Sequence, residues 1–232
     1  MKKRIGIQGG LVFLALVTGI FLYKIVLPHW EKEGLDELLD ALGIVLVLSG
    51  FLLRISSRGY KEEHSSCSRE LVKDGPYALM RNPMYFGTFL IGIGVIFVLL
   101  KLWTILLFLL AFALIYFSQI KKEEDALLKQ FGDEYRNYCR VTPKYFPRVD
   151  LLFNLRDYIF LKLSWIKKEV IPLILTIGII FIIEVIEDVK LYGLNEIAEE
   201  IRKLSPIIAS FIIIVFLFLR KGKAGARKIV RK

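Results

Sequence analysis

Apolar residues in this chain gather into six runs, at 5–27, 38–55, 84–100, 102–118, 170–186 and 204–219, with most polar residues placed between them. A helix crosses a bilayer with about 20 predominantly apolar residues, and each run reaches or approaches that length. The pattern predicts an all-α protein, a polytopic transmembrane helical bundle of about six spans. Run 5–27 follows a short basic start and no small-x-small cleavage site comes after it, so it reads as an uncleaved first helix rather than a signal peptide. Only Lys101 separates runs 84–100 and 102–118. So tight a junction predicts a helical hairpin at the core of the bundle.

The polar stretches have patterns of their own. In 56–81, serines interleave with charges, which predicts a loop containing at most a short helix. In 119–149, Glu124, Leu128 and Phe131 share a helical face, Gly132 suits a C-cap, and Asp133 can cap a second short helix presenting Tyr135 and Tyr138. Pro143 and Pro147 then end regular structure, and 151–163 is amphipathic and aromatic-rich, as suits a membrane interface. Leu194, Ile197, Ile201 and Leu204 are spaced for one face of a further short helix, and a basic tail occupies 220–232. The expected divisions are 1–70, with the first transmembrane helices and a cytoplasmic loop; 71–149, a core; and 150–232, with an interfacial segment, two further spans and the tail.

Composition agrees with the apolar pattern. The chain is 55% hydrophobic with a mean hydropathy of +0.54, values of an integral membrane protein rather than a soluble one. A formal charge of +10 would point to nucleic acid in a soluble protein, but here topology explains it and no nucleic-acid partner is expected. Twenty-seven lysines and arginines fall in the first four residues, in 54–81, in 121–168 and in the tail, against five in the intervening loops, Lys32, Lys101, Lys190, Arg202 and Lys203. Basic residues are retained on the cytoplasmic side, so both termini and both polar stretches are expected there. Cys67 and Cys139 lack metal-ligand spacing and read as reduced thiols, and His29 and His64 belong to no metal motif. No metal site is expected.

The candidate chemistry lies at the two feet of the hairpin. Residues 75–87 read GPYALMRNPMYFG. Pro83 lacks an N–H and biases Asn82 towards extended geometry, so Asn82 reads as an N-cap and Pro83 as the first helical residue. The N–H groups of Met84 and Tyr85, with Arg81 beside them, would then face an aqueous boundary where an anion could sit. Glu123 and Glu124 stand at the other foot. Singly, these residues need do no more than start a helix, reach for headgroups or pair along a surface. Jointly they describe a pocket for a zwitterion: carboxylates for a cation, Arg81 and backbone N–H groups for a carboxylate, and the rings of Tyr77 and Tyr85 for stacking.

In those residues the chain resembles the integral-membrane methyltransferases that include isoprenylcysteine carboxyl methyltransferases and phospholipid N-methyltransferases. That family's pattern is similar to G-P-Y, R-H-P-x-Y-x-G, a hairpin, E-E-x-x-L, F-G, and Y-x-x-Y before a proline. Gly75, Pro76, Tyr77, Arg81, Pro83, Tyr85, Gly87, Glu123, Glu124, Leu127, Phe131, Gly132, Tyr135, Tyr138 and Pro147 follow it in order, within 71–147, about a third of the chain. The resemblance implies S-adenosylmethionine as cofactor. It implies cofactor contacts from Tyr77, Arg81, Asn82, Pro83, Tyr85, Gly87, Tyr135 and Tyr138, with Glu123 and Glu124 closing the pocket. Glu124 is expected nearest the chemistry, and a cation such as Arg81 or Arg136 is expected to orient an acceptor carboxylate. Asn82 departs from the pattern's histidine, can still donate a hydrogen bond, and cannot titrate near neutrality.

The expected acceptor is a lipophilic molecule or lipidated substrate, an isoprenylcysteine-type carboxylate or a phospholipid-type amine, reached at the cytoplasmic membrane face. Two other classes stay open. Membrane sterol reductases have a similar C-terminal pattern and bind a nicotinamide cofactor, but only two spans precede the motif here. A non-catalytic scaffold derived from this fold is the third reading, with Asn82 in its favour.

Overall fold

The computed structural model describes residues 34–65 and 70–192. Runs 5–27 and 204–219, the face from Leu194 to Leu204, the basic tail, His29 and Cys67 lie outside those residues. In chain order the described elements are α1 (Gly34–His64), α2 (Pro76–Leu79), α3 (Pro83–Leu99), α4 (Thr104–Phe131), α5 (Asp133–Val141), a 3-10 helix (Val149–Asp157), α6 (Leu163–Ile166) and α7 (Val170–Tyr192). Every element among them is helical. Two helical stretches, Leu38–His64 and Thr104–Phe131, are long and apolar enough to cross a membrane; Pro83–Leu99 and Val170–Ile183 are apolar but shorter.

The chain divides into two compact units, and α1 contributes to both. The first holds Tyr85–Gln130 and the described residues up to Gly50. In it, α1 and α3 meet through glycines. A Cβ on Gly50 would stand 2.5 Å from the carbonyl oxygen of Gly87, and one on Gly94 would stand 2.5 Å from that of Gly43. Gly43 and Gly50 on one helix thus meet Gly94 and Gly87 on the other in reverse order, so the helices run antiparallel at backbone contact, a form of packing that small residues permit in membranes. The hairpin between α3 and α4 is closed by Thr104, whose N–H and Oγ1 both donate to the Lys101 carbonyl at 2.9 and 2.7 Å. Aromatic rings fill the space between its arms, with Phe89 against Phe112 at 5.3 Å and Phe112 against Tyr116 at 4.4 Å between centroids. Among the described residues, nothing covers the opposite side of α4. Leu106, Leu110 and Leu114, one turn apart, are 72%, 60% and 69% exposed, which in water would be a costly apolar stripe and in lipid is the expected one.

The second unit holds Phe51–Met84 and the described residues from Phe131. Its spine is the polar end of α1, which runs nine residues past Ile55 where a loop was expected. Partners supplied about a hundred residues later explain the difference. Ser56 and Ser57 are fully buried; Ser57 Oγ donates to the Leu53 carbonyl, and Ser56 Oγ accepts from the Phe160 N–H. Gly59 leaves room for the Trp165 ring, whose Nε1 donates to Glu63. Arg54 and Arg58 both pair with Glu169, which is 0% exposed. Polar composition therefore marks a helix leaving its apolar stretch to dock on a polar partner. In the same way α4 continues unbroken through Gln119 to Phe131, 28 residues in all. Gly132, at φ +52°, makes the turn into α5 and occupies its cap position, so Asp133 is the first helical residue rather than the cap and accepts from Arg136 instead.

Candidate functional site

The candidate residues of the second unit begin at the GPY turn. Gly75 adopts φ +59°, a region that L side chains rarely enter. Its absent Cβ would in addition meet the Tyr60 ring at 2.9 Å. Pro76 then starts the single turn of α2, and Leu79 and Met80, each 1% exposed, plug it into the interior.

Residues 79–82 are tied to 143–148 by three hydrogen bonds. Arg81 N–H donates to the Pro143 carbonyl at 2.9 Å, Arg148 N–H to the Leu79 carbonyl at 2.9 Å, and the Asn82 amide to the Lys144 carbonyl at 3.2 Å. The Arg81 guanidinium donates to Cys139 Sγ at 2.8 Å. Tyr138 Oη donates to the Tyr77 carbonyl at 2.7 Å, and the Tyr135 ring lies 6.0 Å from that of Tyr138. Tyr77, Pro83, Tyr135 and Tyr138 are all buried, and Asn82 is half-buried. Burial, with Tyr77 and Tyr135 as neighbours, pushes the Tyr138 phenol far above its ordinary range, against the opposing pull of Arg81. It stays a neutral donor.

The first unit holds the remaining candidate residues. Tyr85 Oη donates to Glu123 Oε1 at 2.8 Å, and Gln119, one turn earlier on α4, donates to the same oxygen at 3.2 Å. The Tyr85 ring meets that of Tyr116 edge-on at 5.4 Å, in a buried cluster with Ile120. This aromatic floor positions the phenol under the carboxylate. Glu124 is half-buried on the same helix. Gly87 has its carbonyl against Gly50, which gives it a packing role between α1 and α3.

Tyr77, Arg81, Asn82, Pro83, Tyr135 and Tyr138 are thus gathered in one unit, and Tyr85, Gly87, Glu123 and Glu124 belong to the other. Sequence reasoning missed Gln119 and Cys139. The first carries a signal, since it stands four residues before Glu123 on a helix; the second touches Arg81 from 58 positions away and carries none. A cleft of about 440 Å³ also opens in the second unit, lined by Lys73, Asp74, Glu134, Asn137, Tyr138 and Arg148 among others. Lys73 and Glu134 pair in it at 3.1 Å, and Tyr138 is its one member from the expected site. Among the described residues no three His, Cys, Asp or Glu side chains group to hold a metal ion.

A helical protein with membrane-length apolar helices, whose motif residues are tied to one another within each of two compact units, is the class these features define. The phospholipid methyltransferase family matches residues 38–134. The chain is 31% identical to the nickel-cobalt-cadmium resistance protein NccN of Alcaligenes xylosoxydans xylosoxydans, over 68% of this chain and 71% of that one. It is 31% identical to the cobalt-zinc-cadmium resistance protein CzcN of Cupriavidus metallidurans, over 65% and 66%. To the protein-S-isoprenylcysteine O-methyltransferase of Schizosaccharomyces pombe it is 35% identical, over 34% of each chain. No solved structure matches at a significant level. The chain belongs to the family of membrane methyltransferases that embraces the phospholipid and isoprenylcysteine enzymes.

Proposed function

We propose that this chain is an integral-membrane methyltransferase that moves a methyl group from S-adenosylmethionine to a lipophilic acceptor, an isoprenylcysteine-type carboxylate or a phospholipid-type amine, at the cytoplasmic membrane face. One observation carries the reading: the fold ties each upstream motif to a downstream one. Tyr138 of the Y-x-x-Y closes on Tyr77 of the G-P-Y, and Tyr85 of the P-x-Y-x-G closes on Glu123 of the E-E. Each bond joins residues that only the hairpin's return brings near.

The donor set suits such a cofactor. Arg81 and the N–H groups opening α3 would hold its carboxylate, and Glu123 and Glu124 would meet its cationic part, with Tyr77 and Tyr85 supplying aromatic surface. When bound, the cofactor supplies an electrophilic methyl on a sulfonium, and transfer depends mainly on alignment. The residues' task is to orient and to exclude water. Tyr85 and Gln119 hold Glu123 in one rotamer, and neutral Tyr138 keeps Tyr77 in place. Glu124 remains the proposed residue nearest the acceptor, where its carboxylate would take a proton from an amine; a carboxylate acceptor would need orientation by Arg81 instead.

The same reading includes about six spans, with both termini and the motif loops cytoplasmic, and a catalytic core at 71–149. Calorimetric titration with S-adenosylmethionine and S-adenosylhomocysteine tests it. Micromolar binding to the detergent-purified chain, lost in Arg81→Ala and in Glu124→Ala, is expected; a folded protein that takes up neither compound would overturn it. The two relatives named for metal resistance pose a separate question about which membrane molecule is methylated, and a screen of membrane extracts for methyl acceptance addresses it.

A further inference from the structure

The segment after α5 exposes more apolar surface than a solvated loop does. Phe146, Val149 and Phe153 are 67%, 71% and 89% exposed, and Val141 and Tyr145 are open beside them. Floppiness does not account for this. The backbone of 143–148 is pinned to residues 79–82 by the three hydrogen bonds described above, which holds the backbone that carries Phe146, and Val149 and Phe153 follow directly in the 3-10 helix. The pinned residues end one position before Pro83, where the apolar helix α3 begins. If α3 enters a bilayer, 143–148 lies at the level where it does so. The charge along the segment points the same way. Between 140 and 168 stand seven lysines and arginines, against Asp150 and Asp157; Arg148 pairs with Asp150, and Lys162 and Lys168 pair with Glu63 and Glu62 of α1, so the excess rests on Arg140, Lys144, Arg156 and Lys167. Large apolar side chains beside an excess of cations are the makeup of a surface that seats itself among headgroups.

We propose that residues 141–153 form an interfacial plate that inserts Phe146, Val149 and Phe153 into the headgroup and upper acyl layer of an anionic membrane. The plate rests on the membrane reading above. Pinned to the R-N-P motif, it ties the depth of that motif to the lipid surface, which fits an enzyme whose acceptor arrives through the bilayer.

The test places a tryptophan at Phe153 or at Val149, with Leu106→Trp on α4 as a control. Each full-length variant is reconstituted in nanodiscs of phosphatidylglycerol with phosphatidylcholine brominated near the glycerol, and its emission is compared with that of the unsubstituted chain. Both plate indoles should lose intensity to the bromolipid and be shielded from aqueous iodide. Quenching by iodide but not by lipid overturns the proposal. Shielding from both quenchers overturns it as well, since protein, a second copy or another part of this chain, would then cover the patch. Equal bromolipid quenching in discs of phosphatidylcholine alone removes the anionic requirement. Loss of lipid quenching at Leu106 too would mean that the membrane reading itself has failed, whereas quenching at Leu106 with none at either plate position sinks only the plate.

Discussion

Glu169 shows how much can depend on one side chain. Its carboxylate accepts from Arg54 Nε and Nη2 at 3.1 to 3.3 Å and from Arg58 Nη1 at 2.8 Å, with no exposure to solvent. Removing one member of such a buried group leaves charge without compensation, so Glu169→Gln should destabilise the fold by about 3–5 kcal/mol, read as a lowered thermal midpoint in detergent. Tyr138 makes a second case. In Tyr138→Phe the Tyr77 carbonyl loses its donor, at a cost of about 1–3 kcal/mol. The phenol also sets a pH dependence. Its pKa is raised in the folded state and lies near 10 in the unfolded chain. Its contribution is therefore fully present below about pH 10 and is lost as the pH climbs beyond, because only the unfolded chain can then shed the proton. An ultraviolet titration should show a phase of tyrosines that ionise only on alkaline unfolding, and Tyr138→Phe should reduce that phase by one tyrosine.

Helices here are placed by glycines whose roles differ in kind. Gly50 and Gly94 are contact points, where a methyl group would collide with backbone at 2.5 Å. Gly50→Ala and Gly94→Ala should each force α1 from α3 and cost about 1–3 kcal/mol. Gly132 has open space around it, with nothing within 4 Å of a built Cβ, but its φ is +52°. Its substitution by alanine is a matter of backbone strain alone, about 1–2 kcal/mol, and Gly132→Asn should recover much of that, since asparagine tolerates the left-handed region. Thermal melts of the four variants separate the two mechanisms. Much at this scale was legible in the sequence. The hairpin, the start of α3 at Pro83 and the break at Gly132 follow from apolar runs and from residues that restrict the backbone. The far end of α1 was not, because a polar helix that is buried looks like a solvated loop until its partners are known.

For the whole molecule, the proposed topology predicts which side of the membrane each loop meets. In sealed inside-out vesicles of a chain whose Cys67 and Cys139 are replaced by serine, Lys122→Cys should react with an impermeant maleimide and Lys101→Cys should not, the two lying on either side of the apolar run 102–118. The reverse result would invert the proposed orientation. Glu123→Gln, which keeps a partner for Tyr85, should weaken cofactor binding less than Glu123→Ala, as measured calorimetrically.

The sequence by itself determined the class of this protein: apolar runs of membrane length dictate helices, because a backbone in lipid must satisfy its own hydrogen bonds. It also supplied the proposed site, since Arg81, Tyr85 and Glu123 stand in motifs whose residue types and order resemble a known family. Only the tertiary structure decided which groups touch. Tyr85 holds Glu123 rather than its neighbour, Cys139 meets Arg81, and Glu169 reaches back more than a hundred residues to Arg54 and Arg58. Those pairings depend on how distant segments return to one another. Local propensity carries no record of that, because it acts along the chain while these contacts form across it.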